Sequence, residues 1–211
     1  MSRCPITYEM CDNHYSQEGL KRLSPKLVRL RDFPYGKSQQ LELAVQYADK
    51  LSFSGVQPNL NAKLNLKTEL FETVRSGGTF ILKLPHAMYE ALPQNEDLTM
   101  RLAASAKIEV PLHGMIYAVD RSLVYFVKQF DRRGRKKLAV EDLGQLAGLS
   151  KESKYDFSME KLVFLIDEFC TFKMKEKEKL FRLTLFNFLV GNEDMHMKNF
   201  SVIREEDVTK L

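Results

Sequence analysis

The sequence predicts an α+β chain, β-rich in its first half and helical in its second, on three observations. Residues 52–130 carry short apolar runs broken by turn residues, the texture of an antiparallel sheet. Residues 158–190 carry apolar positions at helical spacing, the texture of a packed helical unit. With 211 residues, 44% hydrophobic and 28% charged, the chain can bury a full core without disulfide staples, and it has none of the bias of disordered or fibrous chains. The change of texture falls near residues 130–135. Three segments follow: an irregular N-terminal arm over 1–37, a small lobe over 38–130, and the start of a helical large lobe over 131–211.

Within the arm, Pro25, Pro34 and Gly36 interrupt a mixture of Cys, Tyr and basic residues, so only short helical pieces are expected. From Ser38, the spacing of Leu41, Ala44, Val45 and Ala48 predicts an amphipathic helix to about residue 51. Leu60–Leu66 alternates as a strand. Leu70–Val74 and Thr79–Leu84 flank Ser76-Gly77-Gly78 and are predicted to form a hairpin. Asn95 opens a helix bearing Leu98, Leu102 and Ala103, with Glu96 and Asp97 read as acids complementing its N-terminal dipole, a role preferred for Glu96 over pairing with the strand lysine Lys83. A second hairpin joins Gly114–Val119 to Leu123–Phe130 around Asp120-Arg121. In the helical half, Leu162, Leu165, Ile166 and Phe169 follow a capping Ser158. Leu180–Val190 is apolar nearly all round, which predicts a helix buried in the middle of its lobe and stopped by Gly191.

Composition narrows the function classes. Thirty-two Lys+Arg against 28 Asp+Glu leave a formal charge of +4, which suits an anionic ligand such as a nucleotide without demanding nucleic acid. Cys4, Cys11 and Cys170 are an odd set without CxxC spacing, as in a reducing compartment. No signal-peptide core and no run of roughly 18 apolar residues is present, so a cytoplasmic protein is expected. The basic run Arg132–Lys137 is read as a solvated turn or a site for an acidic partner.

The chemistry is concentrated after Gly191. Asp194 and Asn199 stand in an Asp-x4-Asn relation on a loop between a helix and a strand. In a phosphoryl-transfer loop the Asp accepts the proton of an attacking hydroxyl and the Asn oxygen holds Mg²⁺ against ATP phosphates. The spacing alone is common, so the order of the other elements matters. A kinase small lobe needs a glycine-bearing turn over the phosphates, a strand lysine, a helix, and a hairpin running into a hinge. The sequence supplies Ser54-Gly55-Val56-Gln57, Lys83, the helix from Asn95 and Lys128-Gln129-Phe130-Asp131 in that order. A protein-kinase-like two-lobed fold is therefore expected. Lys83 taken alone also fits a solvated edge-strand lysine, and Gly55 a plain turn glycine.

Several ordered segments resemble the HipA-like serine/threonine kinases, the toxins of bacterial toxin–antitoxin systems. They are SFSGVQPN at 52–59, FILKLP at 80–85, LPQNEDLTMRLA at 92–103, VKQFDRR at 127–133, VEDLGQLAGLSKESKY at 140–155 and GNEDMHMKNFS at 191–201. The resemblance implies a catalytic base at Asp194, a Mg²⁺-binding Asn199 and a phosphate-contacting Lys83. It implies a phosphate-covering loop at Ser54, Gly55, Val56 and Gln57, an adenine hinge at Lys128 to Phe130, and Asp131 and His196 near the ribose. Ser52 and Ser54 match the place where the family autophosphorylates, and a phosphate there would repel ATP and act as an off switch.

The 51 residues before Ser52 are too few for the additional N-terminal subdomain of longer members, so the layout is similar to the short HipT type. The resemblance implies a HipB-like DNA-binding antitoxin and a HipS-like small protein as partners, with DNA met only through the antitoxin. The implied substrate is an aminoacyl-tRNA synthetase. The family's second Mg²⁺-binding Asp lies beyond the hairpin after the catalytic loop; here Asp207 at the hairpin tip is a poor substitute, and the 211-residue piece alone is expected to be inactive, with one side of helix 180–190 uncovered. Two other readings stay open: a pseudokinase or assembly module of an antitoxin–DNA complex, and a small-molecule kinase of similar fold.

Overall fold

The computed structural model describes residues 2–47, 59–85, 89, 91–134, 136–148 and 158–211. Its backbone divides into two compact units, one of Met1–Ala104 with Glu109–Phe130 and the other of Ser105–Ile108 with Asp131–Leu211. Among the described residues no helix is long and apolar enough to cross a membrane.

The first unit begins with a short antiparallel pair, β1 (Ser2–Arg3) and β2 (Met10–Cys11), followed by α1 (Gln17–Leu23), whose N-cap Ser16 accepts the Gly19 amide. Helix α2 (Lys37–Tyr47) matches the predicted start, while Ala48 and the rest of its predicted end lie outside the described residues. Then come β3 (Asn59–Asn65), β4 (Leu70–Thr73), β5 (Phe80–Lys83), α3 (Leu92–Ser105), β6 (His113–Tyr117) and β7 (Leu123–Lys128). The five strands form one antiparallel sheet in the order β4-β3-β5-β7-β6. Alternation fixes the register: Leu60 and Ala62 of β3 and Phe80 and Leu82 of β5 point to one buried face. There Phe71, Phe80 and Phe126 meet, with ring centroids 5.1 Å apart for Phe71–Phe80 and 5.4 Å for Phe71–Phe126.

The sheet order corrects one expectation. The segments 70–74 and 79–84 are not a hairpin, because both are antiparallel to β3 and so run in the same direction. Seven residues make β3 long enough for two partners. Its Ala62–Asn65 half pairs with β4 on one edge, its Asn59–Ala62 half with β5 on the other, and the chain crosses over at Ala62. Val74 donates to the Asn61 carbonyl on one side (2.8 Å), and Thr79 to the Ala62 carbonyl on the other (2.9 Å). Gly78 makes the crossing possible: a Cβ there would lie 3.0 Å from the Ala62 oxygen. The β6–β7 hairpin forms as predicted.

Residues 2–36 hold only the short elements β1, β2 and α1, and their apolar side chains are part of the core. Cys4, Ile6, Leu20, Leu27, Leu30 and Phe33 are buried in the same cluster as Phe71 and Phe126. The segment also closes the outer edge of β6. Met115 donates to Pro5, Phe33 donates to Tyr117, and Val119 donates to Phe33. Apolar residues without periodicity gave no sequence signal of this docking, since they fill gaps along an edge and line no helix face.

In the second unit, β8 (Arg132–Arg133) and β9 (Lys136–Lys137) form a small hairpin. They lead to β10 (Ala139–Asp142), α4 (Leu143–Leu146), α5 (Met159–Phe169), α6 (Lys173–Leu189), β11 (Ser201–Glu205) and β12 (Val208–Lys210). The last two strands and β10 make a sheet in the order β10-β11-β12. Ser158 caps α5, accepting the Lys161 amide, and Leu162, Leu165 and Ile166 enter the core as the spacing predicts. Helix α6 has one side uncovered, as expected for residues 180–190, and is not enclosed all round as its apolar pattern alone predicts. It buries Leu180 and Phe186, yet Phe181 is 65% and Phe188 83% exposed. Its apolar residues run round more of the helix than its packing partners cover, so the all-round pattern overstated its burial.

Candidate active site

The loop carrying Asp194 is built by the way α6 ends. Val190 donates to the Phe186 carbonyl, and Gly191, at φ +67°, turns the chain in the left-handed conformation that a glycine adopts at low cost. Asn192 then folds back on the helix. Its amide donates to the Asn187 carbonyl (2.9 Å), and its Nδ2 to Asn187 Oδ1 (3.2 Å). The Asn192 Oδ1 accepts the Asp194 amide at 3.2 Å. On the far side, a single 3-10 turn over Met197–Asn199 anchors the loop, because Met197 and Phe200 are buried in the core of the unit.

Between these anchors the polar side chains converge. Asn199 Nδ2 donates to the Asp194 carbonyl (2.6 Å) and lies 3.4 Å from its Oδ2. The buried His196 places Nε2 3.5 Å from Asp194 Oδ1. The Asp194 side chain remains 70% exposed. An exposed carboxylate on a loop pinned at both ends can accept a proton from a hydroxyl brought to it. With the Asn199 amide nitrogen committed to Asp194, its carbonyl oxygen is left for a cation. A lone carboxamide oxygen suits Mg²⁺, which takes few protein ligands and completes its shell with waters and substrate phosphates. Asp207 is exposed at the turn between β11 and β12, as predicted. Among the described residues no group of three or more His, Cys, Asp or Glu side chains could hold a metal by itself.

In the first unit, Lys83 lies on β5 opposite Tyr125 of β7 and forms an ion pair with Glu96 of α3, Nζ to Oε2 2.8 Å. Both side chains are largely sheltered, at 31% and 20% exposure, and the ammonium stands 5.9 Å from the Tyr125 ring. Burial, with the negative charges of Glu96 and Asp97 nearby, pushes the Tyr125 hydroxyl well above its ordinary range. Glu96 corrects the sequence reading, which preferred the helix dipole to the pairing with Lys83 that the structure shows. Helix α3 starts at Leu92, three residues earlier than expected, so Glu96 is past the first turn and faces the sheet. The available signal was the order of a strand lysine followed by a helix acid.

Lys128 ends β7 and donates its amide to Leu112, while the Gln129 amide donates to Thr79 and its side chain to Asn61 Oδ1. Phe130 is 52% exposed at the end of this unit. Asp131 begins the second unit, its carboxylate held by Arg132 Nη1. The structure thus brings together Asp194, His196 and Asn199 in one unit, and Lys83 with Glu96 in the other. Ser52, Ser54, Gly55, Val56 and Gln57 lie outside the described residues.

The fold of this chain is shared with two solved structures. A Shewanella oneidensis HipA, in a complex with HipB and operator DNA, superposes with TM-score 0.64 at 24% identity, over 87% of this chain and 50% of that one. The Helicobacter pylori proinflammatory kinase CtkA gives TM-score 0.52 at 16% identity, over 77% of this chain and 53% of that one. The chain belongs to the family of HipA-like C-terminal domains, which it matches over residues 51–211. In sequence it is 31% identical over 173 residues to the serine/threonine-protein kinase toxin HipA of Shewanella oneidensis, covering 72% of this chain and 39% of that protein. A Haemophilus influenzae protein named as a kinase is 27% identical over 203 residues, 90% of this chain and 58% of that protein. The chain spans about half the length of the curated relatives it matches.

Proposed function

We propose that the chain is the ATP-dependent phosphotransferase part of a toxin–antitoxin kinase, acting on a serine or threonine hydroxyl. The observation that carries this reading is the exposed Asp194 carboxylate, on a loop where Asn192 accepts the Asp194 backbone amide and Asn199 and His196 flank the side chain. In this reading Asp194 orients the hydroxyl and takes its proton as the new oxygen–phosphorus bond forms and the bridging bond to the departing ADP breaks. Lys83, steadied by Glu96, neutralises nucleotide phosphates, and the Asn199 side-chain oxygen is the place for Mg²⁺. When bound, the metal supplies charge neutralisation on the phosphates. The loop at Ser54–Gln57 covers the phosphates and Lys128–Phe130 the adenine, with Asp131 and His196 toward the ribose.

The finer reading follows the relatives. The Shewanella HipA is recorded with HipB and operator DNA, and we extend to this chain a HipB-like antitoxin, a HipS-like small partner of the short HipT type, and autophosphorylation at Ser52 or Ser54. An aminoacyl-tRNA synthetase is the proposed target.

The test compares the protein as encoded at its own locus with Asp194→Ala, scoring growth and labelling of a cell extract by γ-labelled ATP. Growth arrest and a labelled protein band, both lost in the variant, are expected. Equal arrest by both proteins removes Asp194 from its role and favours an assembly module. Label in a small molecule with no protein band assigns a metabolite kinase.

A further inference from the structure

The Lys83–Glu96 contact is only as secure as the setting of α3, and the residues behind it show what fixes that setting. Asp97 follows Glu96 and, at about 100° per residue, points to a different side of the helix. It is completely buried; Oδ1 meets His113 Nδ1 of β6 at 2.8 Å and Oδ2 accepts Arg101 Nε at 2.7 Å. Burial alone works against its ionisation, yet the hydrogen bonds from His113, Arg101 and Tyr8 and the Arg101 charge outweigh it and hold the carboxyl below its ordinary range.

Arg101 then leaves the helix. Its Nη2 donates to the Ile6 carbonyl at 2.8 Å, and its guanidinium lies 3.8 Å from the centre of the Tyr8 ring. The Tyr8 hydroxyl returns to Asp97. Tyr8 sits at φ +64° in a turn closed by two bonds of 2.8 Å, from the Tyr8 amide to the Cys4 carbonyl and from the Cys4 amide to the Glu9 carbonyl. One planar cation thus meets a carboxylate, a carbonyl and an aromatic face, which a lysine cannot reproduce.

We infer that Arg101 is a positioning residue: by tying Asp97 to the Cys4–Glu9 turn it fixes the rotation of α3 and so holds Glu96 against Lys83. Rotation that carries Glu96 away from β5 must also pull Asp97 off His113 and leave a buried carboxylate without its partners. The inference deepens the proposed function by naming what sets its lysine, and it rests on that function only for the consequence in nucleotide binding.

The experiment is competitive acylation of the full chain with acetic anhydride, read lysine by lysine by mass spectrometry. Glu96→Gln measures the release of Lys83 directly. Arg101→Ala is expected to raise the Lys83 rate by at least about threefold, the factor given by an ion pair within the ordinary surface range. Arg101→Lys should fall between wild type and Arg101→Ala. Lys63, paired with Glu72 at 3.6 Å in the same sheet, should keep its rate and reports general loosening. If Arg101→Ala is unfolded by circular dichroism, Arg101→Lys and Tyr8→Phe carry the comparison. The inference is overturned if Lys83 is unchanged in the folded Arg101 variants, if Lys63 rises as much as Lys83, or if Glu96→Gln itself leaves Lys83 unchanged. Failure of Mg·ATP to protect Lys83 in the wild type counts against the nucleotide reading and leaves the rate comparison intact.

Discussion

Replacing Gly78 by alanine tests the strand order directly. The new Cβ would stand 3.0 Å from the Ala62 oxygen, 3.1 Å from the Ala62 nitrogen and 3.1 Å from Asn61 Cβ. Two of these atoms are backbone of a strand paired on both edges, so no side chain can swing aside, and the crossing segment has to move by a few tenths of an ångström. Overpacking of this kind costs about 1–3 kcal/mol. Restricting the unfolded chain returns about 0.4–1 kcal/mol, because Gly78 is not in the left-handed region. The net loss is about 0–2.6 kcal/mol, centred near 1.3 kcal/mol, and at roughly 2–4 °C per kcal/mol that central value lowers the melting temperature by about 3–5 °C. Hydrogen exchange should quicken at the Thr79 amide, which donates to the Ala62 carbonyl. At Gly77, with φ +72° and open space around it, Asn keeps the left-handed conformation, and Gly77→Asn should change stability by less than about 0.5 kcal/mol. A Gly78→Ala protein as stable as wild type, with Thr79 equally protected, would show that the segment turns in solvent as a hairpin tip and that the argument from Ala62 is wrong.

Three further outcomes are expected. Phe126→Ala removes a ring fully enclosed with Phe71 and Phe80 and should cost about 3–5 kcal/mol in denaturant unfolding; a loss under about 1 kcal/mol contradicts the packing described. Asp97 is more acidic folded than unfolded, so its contribution is complete above about pH 4, near the unfolded value, and drains away as acid carries the pH through the lower folded value. Melting curves of Asp97→Asn should therefore lose less stability than wild type between about pH 5 and pH 3, and parallel curves would count against this account. Asn192→Ala removes the acceptor of the Asp194 amide and should cost about 0.5–1.5 kcal/mol with faster exchange at that amide; unchanged exchange would mean that the loop is shaped by its other anchor alone.

What could be read from the residues depended on periodicity. The α5 face at Leu162, Leu165 and Ile166 and the β6–β7 hairpin follow a regular repeat, and both stand where the repeat put them. The convergence of Asp194 and Asn199 was legible because buried anchors flank a short polar loop. Pairing of β4 and β5 with β3 was not, since a glycine turn between two apolar runs looks alike whether the chain reverses or crosses, and only the backbone at Ala62 decides. Glu96 was misassigned by three residues of helix, enough to move it from the first turn to the face toward Lys83. The docking of Ile6, Leu27 and Phe33 left no pattern, because edge filling needs size and position without repeat.

The way residues 5 and 33 lie along β6 bears on how the protein behaves at high concentration. A sheet margin with free amides and carbonyls invites a strand from a neighbouring molecule. Here Pro5 and Phe33 take up hydrogen-bonding groups along one margin, and at the other β4 is four residues long with the adjoining Glu69 carbonyl engaged by the Arg31 amide. The opening segment of the polypeptide therefore guards the sheet against intermolecular strand exchange, and trimming it would trade that protection for self-association.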